Sequence, residues 1–212
     1  MFTLLKGTLE RKLKIKYYIY YIMDFRIPQQ IDFEALDERI KTPMTDSDVE
    51  RYFGSGIESE VMTYSQLVNY KTIDELLPND FDFRIILVEQ MRNKGHWVLI
   101  LKYNGVIEDF DSYGKGIEPQ RNLIAAGMNR LLGQERNHLK HLISRSPYKY
   151  VINKHCFQSL KPDVNTCGRW ATLRIIMAKS LNMDLPEFTE MVKKASRDMK
   201  LIPDAVVSLW IK

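Results

Sequence analysis

Residues 96–114 read HWVLILKYNGVIEDFDSYG, which is two apolar runs separated by Asn104-Gly105. An Asn-Gly pair between two such runs is the strongest short-range signal of a two-residue hairpin turn. If these two residues form the turn, Tyr103 faces Val106, and further along the strands His96 comes opposite Tyr113. The sequence therefore predicts an antiparallel strand pair at the centre of the fold.

This register also predicts that His96 and Asp111 approach each other. Asp111 falls opposite Val98, and positions two apart on a strand share a face of the sheet. Such diagonal neighbours lie at roughly 7–8 Å between backbones, within side-chain reach. Asp109 shares the face but lies further away, and Glu108 points to the other face. Either residue alone could be structural, but the pairing indicates a histidine base oriented by an acid.

The rest of the chain predicts helices on either side of a group of strands. Strands are expected at 83–89 and 148–157, in addition to the hairpin. Helices are expected at 44–54, 59–70 and 118–134, from Cys167 to Leu181, and at 186–200. This order favours an α+β fold with a central mixed or antiparallel β-sheet flanked by helices over a series of βαβ units.

Composition limits the class of protein. The sequence predicts a basic, tyrosine-rich extension at residues 1–30 and a single domain at residues 31–212. No stretch reaches the roughly 18 apolar residues of a membrane span, so no membrane association is expected. Two cysteines cannot form a disulfide framework, which favours a reducing intracellular compartment. The net charge of +4 is too small to indicate a dedicated nucleic-acid-binding domain.

The second chemical candidate lies in KPDVNTCGRW, residues 161–170. A turn comes first, then Asn165 or Thr166 as the helix cap, which places Cys167 in the first helical turn. The unpaired N–H groups and the dipole there favour a thiolate. Gly168 would let a substrate carbonyl approach the backbone. Taken alone, the Thr-Cys-Gly sequence fits a small buried residue at a helix cap equally well.

Other chemistries find less support in the sequence. His155 and Cys156 are adjacent in a predicted strand, so their side chains point to opposite faces and cannot form a catalytic pair. A structural role is expected for Cys156. His138 and His141 stand in HLKH, which lacks the glutamate of the H-E-x-x-H zinc motif. We therefore expect no metal or other cofactor.

The chain order of these motifs resembles that of a known family. GHW opens one strand, FDSYG closes the next, and a glutamine and then NTCGRW follow. This order resembles the adenovirus proteinase (adenain) and SUMO-protease group of cysteine peptidases, over roughly residues 84–177. The resemblance implies that His96 is the general base, Asp111 the orienting acid, Gln158 the oxyanion donor and Cys167 the nucleophile, at the N-terminus of a buried central helix.

The resemblance also implies a biological role. FDSYG and NTCGRW look more like the maturation proteases of virophages, Maverick-type elements and large DNA viruses than like cellular SUMO proteases. A monomeric viral protein that cleaves capsid or core precursors, in the virion or at the assembly site in the host cell, is therefore expected. Trp97 matches the tryptophan that shields the ion pair in that family. An isopeptidase acting on ubiquitin-like modifiers and a non-catalytic capsid or scaffold binding module are the alternatives.

Adenovirus proteinase is stimulated by DNA and by a viral peptide, so the resemblance extends to possible activators. A basic stretch of this chain could make a weak DNA contact or could simply be a solvated face. Its members are Arg136, Lys140, Arg145, Lys149 and Lys154.

Overall fold

The computed structural model describes residues 30–54 and 60–212. The predicted extension at residues 1–30 lies outside this part of the chain, apart from Gln30. The strands are β1 (Val61–Thr63), β2 (Phe83–Met91), β3 (Lys94–Tyr103), β4 (Val106–Phe110) and β5 (Lys149–Ile152). The helices are α1 (Phe33–Lys41), α2 (Asp46–Phe53), α3 (Ile73–Leu76), α4 (Ile117–Asn122), α5 (Ala126–Leu131), α6 (His138–Ser144), α7 (Cys167–Leu181), α8 (Leu185–Met199) and α9 (Pro203–Trp210), with a 3₁₀ helix at Tyr64–Asn69.

The five strands form one mixed sheet in the order β1-β2-β3-β4-β5. The three central strands are antiparallel, and each edge strand runs parallel to its neighbour. Helices cover both faces of this sheet, so the predicted α+β class is confirmed. Within the described residues, no helix has the length and apolar content needed to cross a membrane.

The central hairpin has the predicted register. Asn104 and Gly105 both have positive φ, 49° and 73°, as a type I′ turn requires. Tyr103 pairs with Val106, and pairing continues to Leu99 and Phe110, where β4 ends. The chain after Phe110 therefore leaves the sheet next to the first residues of β3.

Two apolar cores lie on opposite faces of the sheet, as the alternation along β3 requires. Leu99 and Leu101 pack with α7 and α8 in one core, whereas Val98 and Ile100 belong to the other core, with the 3₁₀ helix, α3 and α6. Helix α7 is buried on nearly every side, because the sheet, α2 and α9 all contact it.

A buried ion pair joins α7 to the sheet. Arg174 donates from Nε to Oε1 of Glu108 and from Nη2 to Oε2, both at 2.7 Å. Both side chains are completely buried. Tyr103 donates a further hydrogen bond to Glu108, at 2.7 Å. The charge of Glu108, on the face of β4 opposite Asp109, is thus neutralised inside the core.

Three predicted elements are wrong. Residues 59–70 do not form one helix: Ser59 lies outside the described residues, and β1 and the 3₁₀ helix follow it, because Val61–Thr63 pairs with Ile85–Leu87. The strand predicted at 148–157 ends at Ile152. Asn153 instead turns the chain, donating from Nδ2 to the carbonyls of Asp111 and His155 at 2.6 and 2.9 Å.

The helix predicted at 118–134 is divided into α4 and α5. Ala125 has an extended backbone, with φ −53° and ψ 136°. The side-chain amide of Asn129 donates to the carbonyls of Arg121 and Ile124, at the point where the helix breaks. An asparagine in the predicted helix therefore stabilises its interruption.

The other predicted helices are present. Helix α2 has Thr45 as its N-cap and Gly54 as its C-cap, and α8 begins with a capping box between Asp184 and Glu187. Helices α1, α3, α6 and α9 were not predicted.

Candidate active site

His96 and Asp111 meet at the end of the sheet where β3 begins and β4 has just ended. Nε2 of His96 donates to Oδ1 of Asp111 at 2.7 Å. The histidine is 6% exposed and the aspartate is completely buried. The predicted contact across the hairpin is therefore present, and water is largely kept from it.

Asp111 accepts hydrogen bonds from several donors besides His96. Its other donors, at 3.0–3.2 Å, are the backbone N–H groups of Tyr113, Lys115 and Gly116 and the side-chain amide of Gln120. Burial raises the pKa of this carboxyl, but the hydrogen bond and charge of His96 and the further donors outweigh burial and lower it. Asp111 is thus held ionised, in one orientation.

Cys167 is the first residue of α7, as predicted. Thr166 is the N-cap residue, but its hydroxyl donates to Oδ1 of Asp204 in α9 at 2.5 Å instead of capping the helix. The other oxygen of Asp204 accepts from the backbone N–H of Ser159 at 2.9 Å. The N–H groups of the first helical turn therefore remain available to a negative charge beside the sulfur.

Gly168 has a packing role at the start of α7. A Cβ atom at this position would lie 3.0 Å from Cβ of Met44. The glycine therefore lets the start of α7 pack closely against Met44, and its predicted role toward a substrate carbonyl stays a prediction.

Three groups lower the pKa of the Cys167 thiol. The first is the His96 ring, through hydrogen bonding and charge, and because Nε2 is directed at Asp111, the nitrogen left for the sulfur is Nδ1. The others are the backbone N–H groups of Trp97 and Gly168. Burial raises the pKa of the Cys167 thiol, but these donors and the charge of His96 outweigh burial and lower it.

The histidine is shifted toward its charged form. Burial lowers the pKa of His96, but its bonds and charge interactions with Asp111 and Cys167 raise it to about 9. A lowered thiol pKa beside a raised imidazole pKa favours a thiolate–imidazolium pair at neutral pH.

The pKa of the Cys156 thiol is shifted in the opposite direction, upward. Cys156 is exposed, lies beyond the end of β5, and donates its S–H to the carbonyl of Gln158 at 3.1 Å. Partial burial and, to a lesser extent, the charges of Asp204 and Asp111 raise the pKa of this thiol. Of the two thiols, Cys167 is therefore the more readily deprotonated.

Gln158 lies at the edge of this group with its amide fully engaged. Oε1 accepts from the hydroxyl of Ser112 at 2.8 Å, while Nε2 donates to the carbonyl of Val164 at 2.9 Å and to the hydroxyl of Tyr113 at 3.2 Å. The side chain is only 1% exposed. The predicted oxyanion donor thus adjoins His96 through Tyr113.

Two side chains of the site were not predicted. The ring of Tyr113 stacks on that of His96 with centroids 4.4 Å apart and 18° between planes. The hairpin register had placed these two residues opposite each other, so this contact could have been found from the sequence. Gln120 gave no comparable signal, because its approach to Asp111 depends on the turn before α4.

The described residues contain no group of three or more His, Cys, Asp or Glu side chains placed to hold a metal ion. Part of the basic stretch surrounds a pocket of about 450 Å³ between the 3₁₀ helix and α6. Its basic lining residues are Lys71, Arg136, His138, His141 and Arg145. This pocket lies on the face of the sheet away from α7.

The sequence matches no family model and no solved structure. It is 30% identical over 153 residues to "Uncharacterized protein V9" of the Sputnik virophage. The aligned region covers 72% of this chain and 85% of that protein. The expected viral character agrees with this relative.

Proposed function

The chain belongs to the same family as "Uncharacterized protein V9" of the Sputnik virophage, and we propose that it is a cysteine endopeptidase. One observation carries the proposal: the buried thiol at the start of α7 has a lowered pKa and bonds to a histidine whose other nitrogen bonds to a buried, ionised aspartate. Nucleophile, base and orienting acid in mutual contact are the arrangement that acyl transfer by a thiol requires.

In the proposed reaction the thiolate of Cys167 attacks the scissile carbonyl carbon. A C–S bond forms while the π electron pair moves onto the oxygen. The oxygen then accepts hydrogen bonds from the backbone N–H at the start of α7 and from the side-chain donors at Gln158. His96 then protonates the leaving amine from Nδ1 as the C–N bond breaks. Water, deprotonated by the same histidine, hydrolyses the acyl-enzyme, and Asp111 stabilises the imidazolium throughout.

We further propose a role in viral maturation, with capsid or core precursors as the protein substrates and the virion or assembly site as the location. The virophage relative supports a viral role, and the order His96, Asp111, Gln158, Cys167 supports similarity to the adenain group. We propose that the protein acts as a monomer and needs no cofactor. Removal of ubiquitin-like modifiers is the alternative activity, since the same four residues would perform it.

The first test is selective alkylation with a trace of iodoacetamide at about pH 6, where an ordinary thiol is almost wholly protonated. We expect label on Cys167 and not on Cys156, which serves as an internal control on the same chain. His96→Ala should abolish the selectivity. Preferential labelling of Cys156 would overturn the assignment of the nucleophile.

The second test is cleavage of a pooled set of fluorogenic peptides with small residues before the scissile bond. Cys167→Ala should abolish cleavage, whereas Cys156→Ser should retain it. Cleavage that survives in Cys167→Ala would refute the proposal. Ubiquitin and SUMO tails bearing the same fluorogenic group separate the two activities, because an isopeptidase would prefer them to the peptides.

A further inference from the structure

Tyr113 occupies the space between the glutamine amide and the catalytic pair. Its ring stacks on His96, and its hydroxyl oxygen accepts from Nε2 of Gln158 at 3.2 Å. Among residues 30–54 and 60–212, no acceptor is bound to the hydroxyl proton of Tyr113. The Tyr113 hydroxyl oxygen is therefore fixed by Gln158 on one side, and the hydroxyl proton is available to a ligand on the other.

The charges around this phenol keep it protonated. Burial raises the pKa of Tyr113 to about 12, with further contributions from the negative charges of Cys167 and Asp111. Cys167 makes the largest of these charge contributions, and the stacking of the Tyr113 ring on His96 brings the phenol to the same site. Tyr113 is thus a hydrogen-bond donor, not a base, at neutral pH.

The amide of Gln158 is committed elsewhere. One of its two hydrogens is directed at the carbonyl of Val164 and the other at the Tyr113 hydroxyl. Ser112 fixes the amide orientation by donating to Oε1. A direct bond from Gln158 to an oxyanion would require one of these two hydrogens to leave its acceptor.

We propose that the Tyr113 hydroxyl is the side-chain donor to the oxyanion and that Gln158 positions it. This inference rests on the proposed function. When the C–S bond forms and the carbonyl π pair moves to oxygen, the oxyanion accepts the Tyr113 O–H, and the proton stays on the tyrosine. The N–H of Gln158 donates to the same hydroxyl and strengthens it as a donor. As the C–N bond breaks, the carbonyl reforms and the hydrogen bond weakens.

The test compares two reactions of the same sulfur in Tyr113→Phe. Peptide hydrolysis develops an oxyanion, whereas alkylation by iodoacetamide displaces iodide at a saturated carbon and develops none. Loss of one oxyanion donor typically costs about 10²–10³ in kcat. We expect a fall of about 10- to 100-fold in kcat/KM, because the released Gln158 amide replaces part of the interaction, with alkylation changed by less than about twofold.

Tyr148→Phe is the matched control, since Tyr148 donates to Asp74 at 2.6 Å away from the site. It should leave both rates unchanged. Hydrolysis by Tyr113→Phe within about twofold of the wild-type rate would overturn the inference. An equal fall in hydrolysis and alkylation would also overturn it, because the ring would then act only by positioning His96.

Two further outcomes are distinguishable. Equal hydrolysis by the wild-type protein and by Cys167→Ala would mean that the proposed function fails, and the inference with it. If Tyr113→Phe does not fold, replacement of Tyr113 by a ring-fluorinated tyrosine retains the hydroxyl and makes it a stronger donor. Hydrolysis should then increase while alkylation stays constant, and unchanged hydrolysis would overturn the inference.

Discussion

Replacing Asp111 by asparagine should destabilise the folded protein, in addition to lowering the pKa of His96. Oδ1 accepts from His96 and from the N–H of Tyr113, and Oδ2 accepts from the N–H groups of Lys115 and Gly116 and from the Gln120 amide. An asparagine has a single oxygen. If that oxygen serves His96, the asparagine NH₂ faces three donors.

The magnitude follows from counting those donors. Gln120 can rotate its amide and present an oxygen, but the two backbone N–H groups lose their acceptor inside the protein. A buried donor without a partner costs roughly 1–3 kcal/mol, and bonds to a charged acceptor lie at the upper end. We therefore expect Asp111→Asn to lower the free energy of unfolding by about 4 kcal/mol.

The assay is urea denaturation at neutral pH, with Asp74→Asn as the matched control. Asp74 also accepts two side-chain bonds, from Lys102 and Tyr148, but it is 49% exposed. Its replacement should cost no more than about 1 kcal/mol. If Asp111→Asn costs as little as the control, the donors around Asp111 do not stabilise the fold and the count is wrong.

The Asp111→Asn protein that remains folded should also hydrolyse peptides with a changed pH profile. The thiolate–imidazolium pair exists above the lowered pKa of Cys167 and below that of His96, near 9. Removing the Asp111 charge lowers the histidine pKa, so the alkaline limb of peptide hydrolysis, which needs the imidazolium to protonate the leaving amine, should move to lower pH. An unmoved limb would show that Asp111 does not set the charge of His96.

Two further predictions concern buried charges outside the catalytic pair. Arg174→Met leaves the Glu108 charge buried with Tyr103 as its remaining partner, so we expect a loss of roughly 3–5 kcal/mol in urea denaturation, most of it recovered in Arg174→Met/Glu108→Leu. A double variant as unstable as the single one would contradict this. Burial is the main cause that raises the pKa of Asp109 to about 7 from 3.8. Between these values the unfolded chain binds fewer protons than the folded protein, so stability falls as pH rises, by about 4 kcal/mol at 1.36 kcal/mol for each pH unit. Asp109→Asn should therefore gain stability relative to wild type between about pH 5 and about pH 8, and an equal difference at both pH values would refute the assignment.

The parts of the site that could be predicted are those set by local sequence. Asn104-Gly105 fixes the register of β3 and β4, and that register is enough to bring His96 to Asp111. The turn before Cys167 likewise fixes where α7 begins. Both signals lie within a few residues of the feature they determine.

The parts that could not be predicted depend on distant pairing. Residues 61–63 have a helical pattern in sequence but become β1, because β2 offers them an edge. The position of Gln158 was predicted from chain order, but its bonds to Val164 and Tyr113 depend on the irregular segment after β5. Gln120 reaches Asp111 only because the chain reverses at the start of α4.

The carboxylate of Asp204 anchors the proposed site, and it lies on a helix that is synthesised after the residues of that site. It accepts from Ser159 and Thr166, on the two sides of the segment that carries Gln158 toward Cys167. On a ribosome, the hairpin and α7 emerge before α9, so a nascent chain holds the histidine, the acid and the cysteine before it holds this anchor. The start of α7 can make its hydrogen bond to Asp204 only after the helix that begins at Pro203 has docked, so the proposed nucleophile would gain this anchor late in folding.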